Sequence, residues 1–569
     1  MLYFILYAIE KVIMKVKVNG TLIELHNGAR VKDAILKYYS EQGRRIPKKI
    51  PSLEDRYGNK IADDGELTDG NVLFFKERRR NKDLFLKFFS GILIIVYISA
   101  CSTGGKVFTV RQADKQAVIF AVNDIHAAID NFPKLAYIVD SLEAIYPDML
   151  LVAAGDNQTG NPVNDQYPEK GLPVIELMNA TGFDLSAVGN HEFDSQPDGF
   201  RNLSHKANFG FICANMSKSS SDNLKVKPYE IITLPGGLKL AFLGLLYINQ
   251  DGIPDSHPDN VKDFSFSSPF ETAREYMYLK DQCDIFIALT HLGFENDVRL
   301  AETMPEGIDL IIGGHSHTKV EKEQVHNGIM ITQAENKLKY GTLIKLTRKF
   351  DGSLQRSMEL IDIRNTKNEK ASIRAIVDKL NDNPVLREVI ATTSDDFSSH
   401  EELGYLMADG QRNVAKADIA FVNPGGVRID YLPKGTIRIM DIYQLDPFDN
   451  ELIVTKLTGS EIHSLMLTAY SINDIVPVYP SGIRIKLRKD LNGNLLEVIL
   501  LTEDGNQLSM DKTYSVAMNS YMTQAYKYEH NDPGQSLFIT SADALIEYLR
   551  RIKNVRSYRG EKRIQTDRQ

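Results

Sequence analysis

A multidomain chain of mixed α/β and α+β architecture is what this sequence predicts, and three observations predict it. Its 569 residues are enough for about three or four domains. Between residues 116 and 350, short β-branched apolar runs alternate with amphipathic segments such as FPKLAYIVDSLEAIY and LPVIELMNATG, the pattern of strands joined by helices. Those apolar runs end repeatedly in Asp, Asn, His and Gly. A composition of 43% hydrophobic and 25% charged residues excludes a mostly disordered chain. The net charge of -8 offers no basic face, so no nucleic-acid polymer is expected as a partner.

Residues 1–77 come first. MKVKVNGTLIEL reads as two strands around Asn19-Gly20, ARVKDAILKYYSEQG as a helix, and NVLFFKE as a final strand; the set resembles a β-grasp, ubiquitin-like domain. The opening MLYFILYAIEKVI is apolar but too short to span a bilayer. Residues 78–101 follow the grammar of an export signal: Arg and Lys, an apolar core from Phe88 to Tyr97, then Ser99 and Ala100. ISAC resembles a bacterial lipobox, which implies lipidation of Cys101, export, and attachment to a bacterial membrane on its periplasmic or outer side. The first 77 residues then stay in the cytoplasm or are absent from the mature protein. No methionine lies between Met14 and Met149, so a misplaced ATG start does not explain the internal signal. Cys213 and Cys283 sit in or beside strand-like runs and read as buried thiols.

Residues 106–350 carry the chemistry. AVIFAVNDIHA delivers Asp124 and His126, two apart and so on one side of an extended chain. DMLLVAAGDNQ delivers Asp156, and DLSAVGNHEFD delivers Asn190, His191 and Asp194. DIFIALTHLG ends in His291, and IDLIIGGHSH in His315 and His317. Each has a plain alternative: GD is a common turn, and Asn190 could cap a helix. Their joint occurrence at strand ends points to one place, because ligands of α/β domains gather at the carboxyl edge of the sheet. Imidazole, carboxylate and amide oxygen together suit Mn, Zn, Co or Fe better than Mg or Ca. Seven donors are too many for one tetrahedral ion and fit two divalent ions sharing a carboxylate. Such a pair, about 3.5–4 Å apart, activates a water for displacement at phosphorus.

In order, NDIHA, GD, GNHEFD, THLG and GGHSH resemble the signature of calcineurin-like metallophosphoesterases, specifically the 5′-nucleotidase branch. The resemblance implies a four-layer αββα catalytic domain. It implies that Asp124, His126 and His317 hold one ion, that Asn190, His291 and His315 hold the other, and that Asp156 bridges them. His191 and Asp194 become a catalytic dyad beside the scissile phosphate.

After a linker at 351–385 with a charged helix, residues 386–569 resemble the α/β nucleotide-recognition domain of the same family. By motif, DIAFVNPGGVRIDYL implies substrate contacts from Asn423, Gly425, Gly426 and Arg428. DPFDN supplies Phe448 to stack on a base with Asn450 beside it, and AMNSYMTQ supplies Tyr521 as a second ring. Two departures stand out. The arginine expected before an x-x-G-N segment is missing from TSDDFSSHEELGYL, where Tyr405 replaces the amide. A Gly-Gly-Asp-Gly turn is replaced by AYKYEHNDPGQS, with Asp532 as its nearest equivalent. The expected substrate is thus a nucleoside 5′-monophosphate or a nucleotide sugar. The alternatives are a 2′,3′-cyclic nucleotide or another phosphate ester, and a nucleotide-binding lipoprotein of low turnover.

Overall fold

The computed structural model describes residues 14–25, 28–42, 50–75, 114–219, 223–304, 307–473, 476–491 and 495–568. The signal segment and Cys101 lie outside them. In the first unit, Asn19 and Gly20 take φ of 48° and 84°, the left-handed pair that a two-residue hairpin turn requires. They join Met14–Val18 to Thr21–Leu25. Strict alternation in MKVKV turns Met14, Val16 and Val18 inward onto Ile35 and Tyr38 of helix Val31–Glu41. Val72–Phe75 lies parallel to the first strand, and Leu53–Asp55 pairs on its other side. A short strand, Lys60–Ile61, pairs antiparallel with Thr318–Lys319, so this small sheet continues into the catalytic part of the chain.

Residues 115–362 build two facing sheets. Lys115–Val122, Leu150–Ala153, Leu185–Ala187 and Gly210–Ile212 run parallel in one. Lys239–Leu246, Ile285–His291, Leu310–Ile312 and Ile329–Thr332 run parallel in the other. Alternate residues separate the layers. Ile119, Val152, Phe242, Ile287 and Leu310 meet between the sheets. Phe120 and Val122 face helices Phe132–Glu143 and Leu172–Thr181, while Leu243 and Phe286 face helix Phe294–Thr303 on the far side. The order is helix, sheet, sheet, helix.

The first sheet does not stop at residue 350. Leu354–Asp362 pairs along its whole length with Tyr340–Arg348. This edge strand alternates between half-buried and exposed residues over most of its length, so it lacks the apolar run that would mark it in the sequence. The linker helix, Ala371–Asn381, is no free spacer. It buries Ile373 and Val377 in the same apolar cluster as Phe132, and that cluster continues to Leu403 and Tyr405 of the last domain. There a five-stranded sheet, ordered 479–481, 419–422, 513–519, 451–458, 535–540, carries helices His400–Ala415 and Gly459–Ile472. Cys213 is buried, whereas Cys283 is only half-buried. Among the described residues no helix is long and apolar enough to cross a membrane.

Candidate metal centre and substrate pocket

All seven expected metal ligands are buried at the carboxyl ends of the parallel strands. The backbone that aims them is not extended, contrary to the two-apart reading. Asp124, His126, Asp156, His315 and His317 take φ of 49°, 46°, 51°, 80° and 53°. Each left-handed residue costs about 1–3 kcal/mol unless its surroundings hold it there. They do: Asp124 N–H donates to Gly155 O at 3.0 Å and His126 N–H to Asp156 O at 3.0 Å, which laces the two strand ends together. The His315 N–H donates to the Asp124 carboxylate at 3.0 Å.

The side chains fall into overlapping groups, one of which joins His126 and Asp156 to His191. Asp124, His126 and His317 bring one donor atom each within 4.8 Å of one another, and Asp156, His291 and His315 do the same. His126 Nε2 lies 3.0 Å from His317 Nε2, and His317 Nε2 lies 3.4 Å from Asp124 Oδ1. In the second group His291 Nε2 is 3.1 Å from Asp156 Oδ2, and Asn190 Oδ1 is 3.1 Å from His315 Nδ1. His291 donates from Nδ1 to Ala154 O at 2.8 Å, which turns Nε2 inward. His291 Nε2, beside the Asp156 carboxylate, is buried without a hydrogen bond, and His315 turns Nδ1 toward Asn190 and Glu66. Buried polar atoms left so are rare, and lone pairs converging with carboxylates fit divalent cations. Burial, with His317 alongside, pushes His126 down to about 3, so its imidazole is neutral. Burial opposes the charge on His291, but Asp156 outweighs it and raises the group to about 10.

His191 and Asp194 sit together as expected. Nδ1 and Asp194 Oδ2 are 2.6 Å apart, and Thr159 Oγ1 donates to the same oxygen at 2.7 Å. Gly189, not Asn190, stands at the N-cap position of the short helix Asn190–Ser195, and the Asn190 side chain points at His315. Gly189 fits for a steric reason: a Cβ there would lie 2.2 Å from Asp156 Oδ1.

Several participants carried no sequence signal of their role. Glu192 accepts from the backbone N–H groups of Asp156, Asn157 and Gly189 at 3.0, 2.8 and 2.6 Å. It stands in GNHE but has no place among the ligands. Glu66 and Asp64 arrive from the first unit. Glu66 lies 3.5 Å from His191 Nε2 and 3.6 Å from His315 Nδ1, and Asp64 Oδ1 lies 3.1 Å from His317 Nδ1. Asp255 closes the same side and groups with Glu66 and His315.

In the last domain the expected substrate residues form one neighbourhood. The Arg428 guanidinium lies 5.1 Å from the centre of the Phe448 ring. Asn423, at the start of the turn holding Gly425 and Gly426, accepts from Asn519 Nδ2 at 2.9 Å. Ser520, next to Tyr521, donates to Asn450 Oδ1 at 3.4 Å. The Tyr521 ring is 6.4 Å from His257 of the catalytic domain, and Lys170 pairs with Asp449 at 2.7 Å. Neither departure residue serves this pocket. Tyr405 is fully buried, with its hydroxyl between Glu401 and the Arg563 N–H. Asp532 accepts from the backbone of Lys456 and Gly534, which ties a loop to a strand.

Residues 117–319 match the family model described as calcineurin-like phosphoesterase, and residues 387–527 match the 5′-nucleotidase C-terminal domain. A 5′-nucleotidase of Vibrio cholerae serotype O1 is 25% identical over 511 residues, covering 77% of this chain and 90% of that protein. Endonuclease YhcR of Bacillus subtilis is 27% identical over 468 residues, and the matched region is 72% of this chain but 37% of that longer relative. The crystal structure of a 5′-nucleotidase precursor from Thermus thermophilus superimposes with a TM-score of 0.66 at 24% identity, over 79% of this chain and 99% of that one. This last likeness is one of fold.

Proposed function

We propose, from the premise that this chain belongs to the 5′-nucleotidase family and is a metal-dependent phosphoester hydrolase, that it releases phosphate from nucleoside 5′-monophosphates or cleaves nucleotide sugars. One observation carries the substrate class. The segment 255–259 touches both halves of the machinery: Asp255 O accepts from Asn190 Nδ2 at 3.3 Å, and His257 lies 6.4 Å from Tyr521. An aromatic pocket beside an acid-and-imidazole centre suits a ligand with a base at one end and a phosphate at the other.

In this reading Asp124, His126 and His317 would hold one divalent ion and Asn190, His291 and His315 a second, with Asp156 available to both. When bound, the two ions polarise the phosphate and lower the pKa of an attacking water. The chain's own residues do the rest. Asp194 takes the hydrogen bond from His191 Nδ1, and against the cost of burial it and Asp156 hold the ring well above its usual pKa, so the imidazole is protonated on both nitrogens with Nε2–H directed at the phosphate. That nitrogen donates to the departing ester oxygen. Arg428 spreads its fork toward the phosphate while stacked on Phe448, and Phe448 and Tyr521 supply faces for the base. The sequence at 78–101 supports export and lipid attachment at Cys101 for a mature form that has lost the first unit; in the full chain that unit does not stand apart from the catalytic domain but pairs with it through Lys60–Ile61 and Thr318–Lys319.

The test is phosphate release by the Mn-loaded protein offered AMP, UMP, UDP-glucose and 2′,3′-cyclic AMP, before and after chelation. Chelator-sensitive release from the monophosphates is expected. Phe448→Ala should depress nucleotide turnover far more than that of p-nitrophenyl phosphate. Release confined to the cyclic ester would replace the substrate class, and equal losses for both substrates would remove the stacking role.

A further inference from the structure

The mouth of the metal centre is occupied by protein. Residues 60–66 run antiparallel to 315–319, the segment that carries two of the metal ligands. Ile61 pairs with Thr318 and Lys60 with Lys319, Ala62 N–H donates to His317 O at 3.3 Å, and Glu66 N–H donates to His315 O at 3.3 Å. This register leaves the turn Asp63-Asp64-Gly65 over the site and delivers two carboxylates into it. Asp64 meets His317, Asn336 and Lys337 at 3.1, 3.0 and 2.9 Å. Glu66, itself buried, meets His191, His315 and the Asn190 amide at 3.5, 3.6 and 3.4 Å. Around the rim, Arg56 pairs with Glu295 at 2.7 Å, Val72 N–H donates to Glu295 at 2.8 Å, and Gln324 donates to Asn59 at 3.0 Å. On the far side Lys32 reaches Asp430 of the last domain at 3.4 Å.

We propose that the catalytic mouth is also a docking site for an acidic β-turn flanked by a strand, and that its resident occupant is the chain's own first unit, which closes the site. This rests on the hydrolase reading above. A carboxylate carries negative charge on two oxygens, as a phosphate edge does, and Glu66 stands on the imidazole nitrogen assigned to the substrate phosphate. Added strands are held by main-chain hydrogen bonds and made specific by the side chains between them. Both terms are present here, and a phosphate ester cannot reach His191 Nε2 while Glu66 covers it.

Gly65 gives the clean test. A Cβ there would lie 2.2 Å from the backbone oxygen of Ser316. Its φ is outside the left-handed region and the one close atom within the free unit is Ala62 O at 3.2 Å, so a side chain there strains the docked form far more than the free one. Full-length wild type, Gly65→Val and, as a second route that spares the turn, Arg56→Glu are compared in two ways. Hydrogen exchange with mass spectrometry follows the amides of Ala62 and Glu66, which donate across the junction to His317 and His315, and turnover of p-nitrophenyl phosphate is measured with Mn. The wild type should protect those amides and turn over slowly. Either variant should exchange faster there and turn over about tenfold faster or more, as expected when a closed state that dominates the population is released. Equal exchange in all three proteins would overturn the docking. Faster exchange with unchanged or lower turnover would overturn the closure and make Glu66 a working member of the site. Exchange that responds while every variant is inert would uphold the docking and overturn the hydrolase reading instead.

Discussion

At His191 the protein has spent its local geometry on one nitrogen. Asp194 and Thr159 fix the ring from the Nδ1 side, and Nε2 is buried with Glu66 facing it at 3.5 Å. His191→Ala should therefore lower turnover by about 10²–10⁴-fold, the scale of a positioned acid or base. Bound metal, read by mass spectrometry of the native protein, should be unchanged. Lost metal would make His191 a ligand, and unchanged turnover would remove it from the chemistry. The donors around it were legible because each sits in a short motif at a strand end. What aims them was not. Positive φ at Asp124, His126, His315 and His317 is set by hydrogen bonds between strand ends far apart in sequence, and extended-chain periodicity says nothing about them. Glu66 and Asp64 were invisible for a related reason: an acidic turn is an ordinary solvated loop until a tertiary partner gives it neighbours.

At the scale of elements, the parallel strands declared themselves because their apolar runs are continuous and buried on both faces. The edge strand Leu354–Asp362 did not, since its alternation is between half-buried and exposed residues. Another local junction carries a pH prediction. Asp446, just after helix Ile439–Leu445, is buried against Ser541, and burial pushes its carboxyl up from 3.8 to about 7. Between those values the native protein keeps a proton that the unfolded chain releases, so this group's contribution to stability falls as pH rises from 3.8 toward about 7. Asp446→Asn removes the titration. The gap between the melting temperatures of Asp446→Asn and wild type should widen in the variant's favour over that window and level off above it. A constant gap would show that Asp446 does not titrate there.

For the molecule as a whole, strained ligand backbones and unpartnered imidazoles make the metal-free centre a weak point. Metals that bind only the folded state stabilise it by about 2.7 kcal/mol at a hundred times their Kd. Calorimetry of the Mn-loaded protein before and after chelation should show melting fall by several degrees, and identical traces would argue that the donors hold no ion. The cluster that joins Phe132 to Ile373, Val377 and Tyr405 bears on how this molecule can be divided. Severing the chain at residue 350 takes from the catalytic half its outermost strand and the helix that seals its outer face, and leaves Phe132 and Ile138 open to water. The natural seam lies past Asn381, where the sealing helix ends, and a fragment cut there keeps its own lid of apolar side chains.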